Sequence, residues 1–213
     1  MEKGPPRWRR RKEARPGEIV AAALEVFAEK GFAAARLDEI ARRAGVSKGA
    51  LYLYYETKED IFHAVVTQAV TPKLAAVRAM AEGYEGRFAD LLPAVIGMLA
   101  EVLPESPAGS IVKMIVGESR NFPELARYWR EEAVEPMVAM MSGVIAKAQA
   151  RGEVRAGDPR YFAFQVAGPM LMGVLWSEVF VPVGGAPVDF PALARQHAET
   201  LMRGLLAEPE GAA

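Results

Sequence analysis

At 213 residues, 51% hydrophobic and 25% charged, the chain can bury a sizeable core and has room for a small module joined to a larger one. Zero cysteines exclude a disulfide scaffold, thiolate metal ligands and cysteine nucleophiles, and only two widely separated histidines, His63 and His197, are available for metal binding or acid–base catalysis. The formal charge of −1 conceals an asymmetry: residues 1–60 hold 13 Lys and Arg against 10 Asp and Glu, the remainder 13 against 17, and the first fifteen residues 7 against 2.

A basic end on an acidic body points to a polyanion at that end, or to a solvated tail. The opening MEKGPPRWRRRKEARPGE lacks the apolar run of a secretory signal, so the expected location is the cytoplasm. The first helix spans 16–30, with Ile19, Ala23, Val26 and Phe27 on one face and Gly31 as its stop. A short second stripe, Leu37, Ile40, Ala41 and Ala44, closes at Gly45. Ser47 then caps a third helix over 48–55, where Leu51 and Tyr55 share a face. Lys58 opens a longer helix to Ala81, and helices follow over 86–103, 108–120, 123–151 with a bend near Pro136, 159–180 and 189–207.

No hairpin turn flanked by alternating residues occurs, so the expected fold is all-α. Three units are expected: a basic arm at 1–15, a helix-turn-helix unit at 16–60, and a larger bundle at 61–207 entered through the 58–81 helix, before a tail at 208–213. Residues 161–177 are free of charge, close to the lower length of a membrane span. Burial on both faces, by the chain's own core and by a partner, explains that run better than insertion, so no membrane partner is expected.

Two short helices joined by AGVS have helix-turn-helix proportions. Such geometry presents the second helix to a major groove about 12 Å wide. Lys48 can reach guanine edges or phosphates, Gly49 and Ala50 permit close approach, and the hydroxyls of Tyr52 and Tyr54 can donate to phosphate oxygens. An ordinary helical corner remains the bland alternative.

The run GFAAARLDEIARRAGVSKGALYLYYETKEDIF resembles the N-terminal signature of the TetR family of bacterial transcriptional regulators. The resemblance, over roughly 16–65, implies a homodimer with a small DNA-binding domain and a larger ligand-binding and dimerising bundle. It implies repression at a palindromic double-stranded operator, released by a small molecule, with no cofactor, metal or catalytic residue. It also assigns Ser47, Lys48, Gly49, Ala50, Tyr52 and Tyr54 to the DNA-facing helix and its cap, and Lys58 to a phosphate. Ala35 and Arg36 stand where the family frequently has hydroxyl residues, which removes a cap and leaves Arg36 as a candidate phosphate contact. Ala50 likewise replaces a frequent threonine. Arg9, Arg10 and Arg11 form an arm able to follow phosphates or enter a minor groove.

Nine of the ten methionines fall after residue 79. Their flexible thioethers suit an adaptable apolar cavity as well as plain core. Met98, Met114, Trp129, Met137, Met141, Met170 and Trp176 are therefore candidate pocket residues for a hydrophobic small-molecule effector. Glu118 joins them as a carboxylate among apolar neighbours. Leu193, His197, Leu201 and Leu205, spaced by four, make a stripe resembling the family's dimerisation helix. The chain has no phosphate-binding glycine loop, nucleophile elbow or paired-histidine motif, so an enzyme is not expected. The competing reading is a helix-turn-helix interaction protein without effector response.

Overall fold

A computed structural model describes residues 15–207. The arm with Arg9, Arg10 and Arg11, and the tail 208–213, lie outside the described residues. Among the described residues eleven α-helices follow in order: α1 (Arg15–Ala34), α2 (Leu37–Arg43), α3 (Lys48–Tyr52), α4 (Lys58–Val65), α5 (Thr71–Glu82), α6 (Phe88–Val102), α7 (Ala108–Glu118), α8 (Pro123–Trp129), α9 (Glu135–Ala150), α10 (Pro159–Val179) and α11 (Phe190–Leu205). Among the described residues the only β-pairing is one isolated bridge, Val154 to Leu206. The all-α expectation holds.

Two of the expected long helices are each divided by a π turn. Val66–Val70 separates α4 from α5, and Arg130–Val134 separates α8 from α9. Each turn ends just before a proline in the first turn of the next helix, Pro72 or Pro136. Proline has no N–H to donate, and its ring collides with the carbonyl four residues back. Widening the preceding turn relieves both problems. At the first turn the Val66 carbonyl accepts both the Thr71 N–H of the widened ladder and the Thr71 hydroxyl, the latter at 3.1 Å.

The buried side chains form two clusters. One gathers Ile19, Phe27, Phe32, Ile40, Leu51 and Phe62 from the first four helices, and is completed by Ile111 and Met114 of α7 and Leu125 and Trp129 of α8. The second joins α5, α6, α9, α10 and α11 through residues such as Leu92, Ile96, Ile145, Val166, Met170 and Leu205. The core under the helix-turn-helix therefore does not stop at residue 60. Short helices cannot bury enough apolar area alone, and chain from α7 and α8 supplies the remainder.

Helix α11 corrects the sequence reading. His197, Leu201 and Leu205 are buried within the protomer and Leu193 is half-buried against the same cluster. His197 Nε2 lies 3.1 Å from the Val166 carbonyl and donates to it. The four-residue stripe is this helix's core face, packed on α6 and α10; spacing alone does not distinguish a protomer's own core from a partner's. Outward, α11 shows Arg195, Gln196, Glu199, Thr200 and Arg203.

Helix α10 is apolar on both sides. Phe162, Val166, Met170 and Val174 face the core, while Phe164, Leu171, Met172, Trp176 and Val179 are exposed. By length and composition alone, Pro159–Val183 would suffice to cross a membrane. Its inner side is nevertheless seated in the second cluster, with Gly173 against Phe190 and Leu193.

Candidate nucleic-acid interface and apolar cavity

The α2–α3 corner is built by backbone chemistry visible in its residues. Gly45 takes a left-handed conformation (φ 66). Its N–H donates to Arg42 O at 3.2 Å and the Val46 N–H to Ala41 O at 3.0 Å, a Schellman closure of α2. Ser47 Oγ then accepts the Ala50 N–H at 3.1 Å and starts α3. At the front of α2, Arg36 sits at the cap position and makes no side-chain cap. Asp38 and Glu39 in the first turn compensate by meeting the positive end of the helix dipole. An ion-pair network ties α2 to α1: Lys30 to Glu39 at 2.7 Å, and Arg43 to Glu29 at 2.6 Å and to Glu39 at 3.5 Å. The Lys30 ammonium and the Arg43 charge hold the Glu39 carboxyl below its ordinary pKa.

From this frame α3 exposes Lys48 and Gly49, with Tyr52 43% exposed and Tyr54, in the turn that follows, 38% exposed, while Leu51 is buried as the anchor. Ala50 is half-buried. Nothing lies near the space a Gly49 side chain would fill. Lys48 Nζ pairs with Asp38 Oδ1 at 2.7 Å and lies 5.9 Å from the Tyr52 ring centre. The Asp38 carboxylate raises the Lys48 pKa, and exposed Arg36 is near enough to oppose it. Sequence reasoning missed Asp38. A cation, a phenolic hydroxyl and a small-residue gap on one short, capped helix, with Tyr54 in the turn after it, suit phosphate and base-edge contact.

Lys58 has an intramolecular task that the sequence did not reveal. Its Nζ donates to Phe32 O at 2.8 Å and Ala33 O at 3.1 Å, and lies 4.8 Å from the Phe32 ring centre. Thr57 and Asp60 form a reciprocal capping box at the start of α4. The Thr57 hydroxyl hydrogen bond, with the backbone N–H groups, lowers the Asp60 pKa.

In the second half, a cavity of about 150 Å³ lies among α5, α6, α8, the second π turn, α9 and α10. Trp129, Met137 and Met141 line it, with Val95, Leu99, Ala163 and Leu171, and no charged side chain contributes to its wall. Ligand pockets commonly measure roughly 300–1,000 Å³, so a larger guest requires the methionines to move. The other candidate pocket residues lie elsewhere. Met98 packs partly buried against the second core and Met170 is fully buried within it. Met114 belongs to the first core, and with Glu118 it borders an open cleft between α1 and α7. Trp176 is 37% exposed on the outer side of α10, its Nε1 donating to Ala186 O at 2.9 Å. Residue type suggested the pocket, but side-chain direction within each helix decided membership. Among the described residues no cluster of His, Asp and Glu could hold a metal ion.

Comparison with known proteins matches the chain in two segments. Residues 19–65 match the model for bacterial regulatory proteins of the tetR family, and residues 84–189 match a tetracyclin repressor-like C-terminal domain. The HTH-type transcriptional regulator RutR of Escherichia coli K12 is 29% identical over 156 residues, covering 72% of this chain and 70% of that protein. The HTH-type transcriptional activator FasR of Mycolicibacterium smegmatis is 42% identical over 67 residues, which span only 32% of this chain and 31% of FasR. FadR of Bacillus subtilis, solved with stearoyl-CoA, superposes with a TM-score of 0.71 at 24% identity over 88% of this chain and 98% of its own. A structure described as a SmeT–triclosan complex reaches 0.74 at 20% identity over 93% of both chains. With a helix-turn-helix capped for presentation and both halves matched in order, the chain belongs to the TetR family of bacterial transcriptional regulators.

Proposed function

We propose that this DNA-binding regulator is a cytoplasmic, homodimeric repressor of a palindromic operator, released by a neutral, hydrophobic small molecule. The observation that carries the reading is the pairing of an exposed α3 and the turn after it, bearing Lys48, Tyr52 and Tyr54, with a cavity walled only by apolar and aromatic residues. An anionic effector such as a nucleotide would find no cation in that wall. Triclosan and the acyl chain of stearoyl-CoA, each bound by a structural neighbour, support a lipophilic guest, whereas the phosphates of the CoA portion would find no partner in this wall. Arg36, Ser47, Gly49, Ala50 and Lys58 join the proposed DNA surface, Lys58 chiefly by fixing the turn before α2.

The dimer face is assigned to the outer side of α10, where Phe164, Met172, Trp176 and Val179 leave large apolar side chains in water. A two-fold pair would set its recognition helices about 34–36 Å apart, one helical turn of DNA or a multiple of it. The test is selection from randomised duplexes, followed by a screen of neutral lipophiles for release of the winning duplex. Selection should return an inverted repeat, and Ala167→Phe, which narrows the cavity, should abolish release by the hits. Retention of no duplex would overturn the regulator reading; release only by polar anions would overturn the effector class.

A further inference from the structure

Helix α7 contributes nothing to the cavity wall, yet it touches both halves of the molecule. At its first turn, a Cβ on Gly109 would lie 2.5 Å from Val174 Cγ1 and 3.0 Å from Glu178 Cγ of α10. One turn later Lys113 Nζ donates to the Glu178 carbonyl at 3.1 Å. Helix α10 is itself a cavity wall, through Ala163, Val166, Ala167 and Leu171. At the far end of α7, Glu118 Oε2 accepts the Ala33 N–H at 2.7 Å.

That N–H belongs to the passage from α1 to α2. Gly31 (φ 77, ψ 171) takes the chain out of the helical ladder there, and a side chain at this position would collide with Glu118 Oε1. The glycine thus supplies both the left-handed backbone and the seat for the carboxylate. Lys58 holds the same segment from its other side, through the Phe32 and Ala33 carbonyls. Arg36, three residues beyond Ala33, is already the cap position of α2.

We infer that Glu118 is a positioning residue for the helix-turn-helix, and that α7 carries displacements of α10 to it. Helix α4–α5, expected as one lever, is interrupted by its π turn; α7 is eleven unbroken residues, about 16 Å long. A carboxylate on a backbone amide is a charge-assisted bond, roughly twice as strong as a neutral one. It fixes where α2 begins, and through the ion-paired α2 it fixes α3. The inference deepens the regulator reading and rests on it for its purpose, but its physical content concerns this chain alone.

The test uses the full chain and two readouts. The first is amide exchange at Ala33 followed by NMR in wild type, Glu118→Ala and Glu118→Gln. Glu118→Ala should speed exchange by about tenfold or more, while Glu118→Gln, which keeps an acceptor oxygen, should stay within a few-fold of wild type. Gly109→Ala should also speed it, by pushing α7 from α10, but not in the Glu118→Ala background. Lys113→Met, which removes an α7–α10 hydrogen bond without adding a clash, should repeat the pattern if Gly109→Ala misfolds. The second readout is affinity for the selected duplex, expected to fall about 5-fold or more in Glu118→Ala and to recover in Glu118→Gln. Ala33 exchange unaltered in Glu118→Ala, or α7–α10 variants acting equally in both backgrounds, would overturn the inference. Failure of the wild type to bind any duplex would instead overturn the regulator reading, leaving exchange to decide this one.

Discussion

The two cores are made of different material. The first is aromatic and clamped: Phe32 sits edge-on to Phe62 and to Phe122, with ring centres 6.2 and 5.0 Å apart, and its neighbouring carbonyls are held by Lys58. Ion pairs lace its surface between α1 and α2. The second is richer in methionine, forms most of the cavity wall, and leaves one side of α10 uncovered. Rigid rings and fixed polar partners hold one geometry, whereas flexible thioethers around a void accept several. Under the proposed function a reading head must keep its shape and a sensing chamber must change it, and the two cores would divide those tasks.

Truncation should break the comparison most sharply. Phe32→Ala should cost about 3–5 kcal/mol, because a fully buried ring with fixed neighbours leaves a cavity that cannot collapse. Met141→Leu, beside the existing cavity, should cost less than about 1.5 kcal/mol. Urea midpoints at constant m-value measure both, and equal costs would erase the distinction.

At the uncovered side of α10, Met172→Glu should give a folded monomer by sedimentation, since its side chain is 53% exposed in the protomer. Leu201→Asp, by contrast, buries a charge in the protomer's own core and should unfold or aggregate the chain. A Met172→Glu dimer would move the interface elsewhere.

Within the reading head, Gly45→Ala meets no neighbouring atom, so its cost should be the left-handed backbone alone, about 1–2 kcal/mol. A larger loss by thermal unfolding would mean that the corner is packed more tightly than its geometry shows.

The smallest effect is acid sensitivity, which the first half shares with Glu135 and Glu153 of the second. Glu39, held down chiefly by its Lys30 hydrogen bond, and Asp60, held down chiefly by Thr57, both have pKa values lowered in the folded state. A lowered folded pKa gives stability that is complete above the unfolded value and lost as pH falls through the folded one. Stability should therefore be flat from neutrality to about pH 5 and decline below about pH 4. Glu39→Gln should flatten that decline slightly; an unaltered slope would place the acid sensitivity in other carboxylates.

The first half was also the more legible in sequence, because its signals are local. Gly45, Ser47 and the Leu51 anchor fix a corner within a few residues, and each does what its chemistry requires. The Thr57–Asp60 capping box was equally local and was overlooked. Longer-range assignments failed for physical reasons. Helix α10 is apolar on every side, so its sequence does not say that Ala163 and Leu171 face the cavity while Trp176 faces out. The α11 stripe is regular, but regularity is the same whether the partner is α6 or a second copy. Glu118 was noticed as a carboxylate among apolar residues; its partner, Ala33 N–H, is a backbone group 85 residues away and carries no sequence signal.

The central claim is that α3 reads DNA from a fixed corner. Its most direct test is fluorescence anisotropy of the selected duplex titrated with wild type, Lys48→Ala and Tyr52→Ala. Each variant should keep the wild-type circular dichroism and oligomeric state and lose roughly 5–150-fold in affinity, the range for removing one good base or phosphate contact. Wild-type affinity in both variants, with the fold intact, would contradict the assignment of α3 as the recognition helix.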